Sequence, residues 1–214
     1  MKILLLIALI ATAQSVFAHR GGLDSNGGHN DRKNGGYHCH NYPCGSAHTN
    51  KVTKQVRYNR KSWPHWSDFD NDCMNTRHEI LLVQASGPVK KSPDGCYVST
   101  GLWNDPFSGK TFNRASDLDV DHIIPLKWAH DHGGAWWSKK NKERFANDPV
   151  NLLAVDDGLN QAKGAKGPTE WLPPNHKFRC EYLSMWRNLL ARYKGLEMTV
   201  KESRVFVRQL KACD

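Results

Sequence analysis

Asp119-Val-Asp-His-Ile-Ile-Pro-Leu126, then Asn151-Leu-Leu-Ala-Val155 and, nine positions after Asn151, Asn160, form the stretch from which the rest of the chain is read. Asp119 to Leu126 fits a strand, with Pro125 ending its ladder because proline has no N–H to give. In a regular strand Asp119 and Asp121 face one way, and Val120 and His122 the other. Asp121 and His122 therefore serve one site only if the chain bends there or the site straddles the strand end. Asp156-Asp157 start a helix that carries Asn160 and, on the same face, Lys163; Gly164, Gly167 and Pro168 stop it.

Upstream, Asn75-Thr-Arg-His-Glu79 leads into Ile80-Leu-Leu-Val83. This predicts a short helix with Asn75 or Thr76 as N-cap, Glu79 completing a capping box, and Gly87-Pro88 ending it. Cys96 to Trp103 alternates as a strand, Asp105-Pro-Phe-Ser-Gly109 supplies turn residues, and Lys110-Thr-Phe112 starts the return of a hairpin. Between the two halves of the central stretch, Ala135 to Ala146 predicts a helix whose outer face carries Lys139, Lys140, Lys142 and Arg144. Such a face suits a phosphate backbone, though a solvated charged face is the commoner meaning. Downstream, apolar residues recur at helical spacing in Glu181 to Tyr193 and in Thr199 to Leu210.

Residues 1–18 read as a secretory signal peptide. Lys2 precedes an apolar run from Ile3 to Ala11, too short to span a bilayer, and Ser15-Val-Phe-Ala18 offers a small-residue cleavage site. Export to a periplasmic or extracellular space makes disulfides the expected state of the six cysteines. Local pairing joins Cys39 to Cys44, Cys73 to Cys96 and Cys180 to Cys213, with metal ligation as the alternative for the first pair. Residues 19–44 are rich in Gly, Asn and His and poor in aliphatic side chains, so they build no core of their own. His19, His29, His38 and His40 in this module are candidate ligands for zinc or copper, because neutral imidazoles suit such metals. A linker over 45–60 then leads to one domain over 61–214. The net charge of +9 calls for an anionic partner, nucleic acid or an acidic envelope surface.

Trp103-Asn-Asp-Pro-Phe-Ser-Gly109, Asp119 to Leu126, Phe145-Ala-Asn-Asp-Pro-Val-Asn-Leu152, Asn160-Gln-Ala-Lys-Gly164 and Trp171-Leu-Pro-Pro174 occur in order. Together they resemble the successive blocks of the secreted HNH endonucleases, ββα metal nucleases related to the nuclease domain of GmrSD-type restriction enzymes. The resemblance runs from about Tyr58 to Cys213. The stretch ending Tyr37-His-Cys-His40 resembles the short YHYH-type module that precedes other domains in exported proteins.

The resemblance implies an α+β fold: a ββα metal nuclease core with added helices and disulfides. It also implies that Asp121 and Asn160 bind one divalent cation, magnesium or manganese, and that His122 is the general base with Asn151 orienting its ring. Lys163 and Arg114 are then candidate phosphate ligands, and Asp119 supports the metal ligands from behind. Two departures stand out. Asn160 occupies a position often held by histidine, and the paired Cys-x-x-Cys motifs that bind zinc in many HNH domains are absent, leaving disulfides as staples. The expected activity is hydrolysis of phosphodiester bonds in DNA, with RNA as a further candidate substrate, and with weak sequence specificity. The alternative is an exported metal-binding protein acting through its His-rich module, with an inactive nuclease-like domain.

Overall fold

The computed structural model describes residues 28–30, 37–39 and 56–213. The chain divides into two units, residues 1–55 and 56–214. In the first, β1 (Gly28–Asn30) pairs antiparallel with β2 (Tyr37–Cys39), in a register that sets His29 opposite His38 along the backbone. The expected signal peptide, the ligand groups of the candidate zinc or copper site and the Cys39–Cys44 pair lie outside what is described.

In the second unit the first ordered turn is a 3₁₀ segment, Arg60–Ser62, whose entry Asn59 caps by accepting from the Lys61 N–H. It starts at the last residue of the stretch expected as linker, and Tyr58, within that stretch, packs edge-on against His130. Helix α1 (Thr76–Val83) is capped by Asn75, which accepts from the His78 N–H. The capping box expected with Glu79 does not form, because a cap at Asn75 puts His78 at the third helical position, where the box needs Glu or Gln. Strands β3 (Lys90–Lys91), β4 (Val98–Asn104) and β5 (Thr111–Arg114) make a three-stranded antiparallel sheet that contains the expected hairpin. The Cys73–Cys96 disulfide fastens the approach of α1 to the approach of β4.

Strand β6 (Leu118–His122) is shorter than expected. It stops at His122, the chain bends through Ile123 and Ile124, and Pro125 is the N-cap of helix α2 (Leu126–Asp131) rather than the last residue of a strand. Proline's fixed φ fits helix entry. Helix α3 (Lys139–Ala146) starts later than expected, because a 3₁₀ turn takes Gly134–Trp136 and Ser138 caps the helix. Strand β7 (Leu152–Asp156) pairs antiparallel with β6, and Asp156 caps helix α4 (Asp157–Lys163). Two strands and a helix thus frame the central stretch, as expected of an α+β fold.

The pleat sorts the side chains of this small sheet. Leu118, Val120, Leu152 and Ala154 join Ile80, Leu81 and Trp103 in one buried cluster. Val155 joins the other, built around Trp63, Phe107, Phe145, Tyr182 and Trp186. Burying side chains of this size contributes roughly 1.5–3 kcal/mol each, so the sheet is held from both faces. Helices α5 (Arg179–Arg192) and α6 (Val200–Lys211) close the second cluster and are joined by Cys180–Cys213. Gly133 is required where this pair meets the rest: its φ is 120°, and a Cβ there would lie 1.9 Å from the Gly195 carbonyl oxygen. No helix among the described residues is long and apolar enough to cross a membrane.

Candidate active site

Because β6 ends at His122, Asp121 and His122 reach one site from opposite faces of the strand end. Both line a cleft of about 370 Å³, together with Tyr58, Arg60, Lys127 and Asn160. Asp121 points to the α4 side, where Lys163 donates to its Oδ1 at 2.9 Å and to the His122 carbonyl at 2.9 Å. His122 sits on the other side against Trp66, whose ring stacks on the imidazole at 5.3 Å between centroids, tilted by 30°.

The ring of His122 is fixed by a backbone atom. Its Nε2 lies 2.8 Å from the Ala146 carbonyl oxygen at the end of α3. A carbonyl only accepts, so Nε2 carries the proton and Nδ1 keeps its lone pair. Burial pulls the pKa of this histidine down to about 3, against the Ala146 bond that raises it, and the charges of Arg60, Lys163 and His65 add to the fall. The imidazole is therefore neutral across the physiological range, the form that accepts a proton.

Asn151 does not orient the ring directly, as the resemblance implied. It is fully buried, and its Oδ1 accepts from the Ile124 N–H at 2.9 Å while its backbone carbonyl accepts from Ile123 at 2.8 Å. It clamps the bend that follows His122, and so places the histidine through the main chain. Lys163 departs further from expectation. With no exposed surface and an ammonium committed to Asp121 and His122, it does not face a substrate phosphate. Arg114 lies on β5, in the other sheet, where it is exposed and 3.9 Å from Asp117; it does not line the cleft.

Asp119 lies against the side-chain amide of Asn160. Its Oδ2 accepts from Asn160 Nδ2 at 3.0 Å, and the amide's Oδ1 takes no hydrogen bond from the described residues. Asp121 Oδ2 is buried with no hydrogen-bond partner among the described residues. An orphaned carboxylate oxygen and an amide oxygen on one cleft are the donor set of a hard divalent cation that keeps several of its waters. The residues present therefore fit a divalent cation. Burial raises the Asp121 carboxyl to about 6 although Lys163 pulls the other way, and burial lowers the Lys163 ammonium against the pull of Asp121.

A cation held at Asp121 would compete with the proton for it. Its folded pKa is raised, so the contribution of this group to stability is greatest at low pH and is lost as pH rises through about 6, where the uncompensated charge appears. A bound cation reverses that loss. Cation affinity is expected to weaken about tenfold per pH unit below 6 and to level off above it. Calorimetric titration with manganese from pH 4.5 to 8 reads this directly, and affinity independent of pH would remove Asp121 as a ligand.

Tyr58 and Arg60 line the cleft and His65 and Trp66 lie against the His122 ring; sequence reasoning singled out none of the four. The signal available was the aromatic density of Trp63-Pro-His-Trp66, which announces packed structure close to the expected linker.

The comparisons with known proteins agree with this frame. The chain is 37% identical over 161 residues to an "Uncharacterized secreted protein" of the fungus Arthroderma benhamiae, covering 74% of this chain and 77% of that one. Disulfides fit an exported chain, as does the secreted relative. No solved structure matches. Residues 76–201 match the model of the GmrSD restriction endonuclease C-terminal domain, a span that holds β6, β7 and α4 entire. By that match the chain belongs to the GmrSD restriction endonuclease C-terminal domain family, whose members are of nuclease type.

Proposed function

We propose that this protein is an exported HNH-type endonuclease that hydrolyses phosphodiester bonds, DNA being the main substrate and RNA also accepted, with one magnesium or manganese ion. The observation that carries the reading is the pairing, on consecutive residues of one cleft, of a buried carboxylate oxygen without a partner among the described residues and a neutral histidine whose tautomer is fixed. Asp121 Oδ2 and Asn160 Oδ1 hold the cation. When bound, it supplies positive charge to the scissile phosphate and to the departing 3′ oxygen.

The chain's own residues do the rest. His122 takes a proton from the attacking water at Nδ1, while the Ala146 carbonyl keeps Nε2 protonated and the ring aimed. Asn151 holds the bend after His122, Asp119 holds the Asn160 amide, and Lys163 holds Asp121 from within the core. The basic surplus of the chain attracts phosphate backbones irrespective of sequence, which supports weak specificity.

Oxidised protein freed of residues 1–18 is expected to nick supercoiled plasmid in magnesium or manganese and to lose that activity in EDTA, with recovery when the cation is restored. Cleavage that persists in EDTA would remove the metal from the reading. No cleavage of DNA or RNA with any divalent cation would overturn it.

A further inference from the structure

Charge builds on the scissile phosphate during phosphodiester cleavage, and a cationic side chain aimed at it adds to the stabilisation a bound cation gives. Neither residue expected to do so is placed for it: Lys163 is sealed in the core, and Arg114 stands on another sheet. Two cationic side chains line the cleft, Lys127 and Arg60. Lys127 is engaged by Asp131, one helical turn along α2. Among the described residues, no carboxylate forms an ion pair with Arg60, which is exposed.

Its backbone is not loose. The 3₁₀ turn that carries Arg60 is closed by the Trp63 N–H donating to the Arg60 carbonyl at 3.0 Å, and Trp63 is wholly buried among Trp137, Phe145 and His130. The backbone of Arg60, three residues from such an anchor, is thus fixed beside the cleft that its side chain lines. Tyr58 lies beside it, close enough for the guanidinium charge to oppose the burial that raises the tyrosine's pKa.

We infer that Arg60 is the phosphate-holding residue of this site, a two-pronged donor to the non-bridging oxygens of the scissile phosphate. The inference rests on the nuclease reading above. Arg60 precedes residues 76–201, so the family-matched segment lacks the group that completes its own cleft. Guanidinium suits this task because its paired N–H groups match two phosphate oxygens, a geometry lysine does not reproduce.

The test uses the full oxidised protein without residues 1–18, a defined oligonucleotide duplex, and the variants Arg60→Ala, Arg60→Lys and Lys127→Ala. Arg60→Ala is expected to lower kcat/KM about 10²–10³-fold, mostly in kcat. Its melting temperature and the manganese concentration giving half-maximal rate should stay unchanged. Arg60→Lys should recover part of the loss, and Lys127→Ala should cost less than about threefold, as for an exposed paired lysine.

An Arg60→Ala enzyme within about twofold of wild type, on that same scale of exposed charges, would overturn the assignment. So would a loss matched by a fall in melting temperature and not eased by lysine, which would make Arg60 a structural residue only. A wild-type protein that cleaves nothing removes the nuclease reading first, and this assignment with it.

Discussion

His122→Ala is expected to lower plasmid nicking by about 10³–10⁴-fold while cation binding persists, the upper range for loss of a positioned general base. The two oxygen donors, Asp121 Oδ2 and Asn160 Oδ1, are untouched by the change, so manganese titrations of variant and wild type should superimpose. Truncation leaves space beside Trp66 and frees the Ala146 carbonyl, so the melting temperature is measured alongside. Cleavage near the wild-type rate would show that another group takes the proton, and the nuclease reading would lose its central residue.

Lys163→Met is expected to destabilise the cation-free protein by about 3–5 kcal/mol, because it strands a buried carboxylate without its counter-charge. For a domain of this size that corresponds to a melting temperature lower by about 10 °C. The ammonium also donates to the His122 carbonyl, so its loss loosens the strand end at the site itself. Two additions should restore much of the difference: a saturating divalent cation, which replaces the missing charge, and a second change, Asp121→Asn, which removes the need for it. The second restores stability without activity. An unchanged melting temperature in Lys163→Met would mean that the pair of buried charges is not part of the folded state.

What the sequence discloses is the set of groups whose identity is their signal. Asp121 and His122 are adjacent, Asn151 and Asn160 follow in order, and Asn75 and Asp156 stand where helices need caps, so pattern and chemistry coincide. Three features of the site have no such signature. The acceptor that fixes the His122 tautomer is a main-chain carbonyl at Ala146, and any residue offers one. The environment of Lys163 is a tertiary fact: three residues after Asn160 it looks like a surface cation, and only the packing of α4 on β6 turns it inward. Arg60 and Tyr58 join the cleft from a stretch whose composition reads as connector, because Trp63 anchors it from a distance of three residues. The strand end at His122 was legible only as a condition, that one site needs a bend there, and the bend exists because Asn151 binds the main chain of Ile123 and Ile124.

The placement of Asp121 and His122 on consecutive residues has a bearing on how this protein fails. Their separation is ruled by one trans peptide, which holds neighbouring Cα atoms about 3.8 Å apart. Gradual swelling of the core therefore does not pull base and carboxylate apart. A slip of β6 against β7 by one residue acts differently, since it exchanges the faces of the strand and carries both groups away together. Damage at this hinge is all-or-none: a population of molecules under heat or mutation should divide into fully competent and silent members, with few that work at half speed.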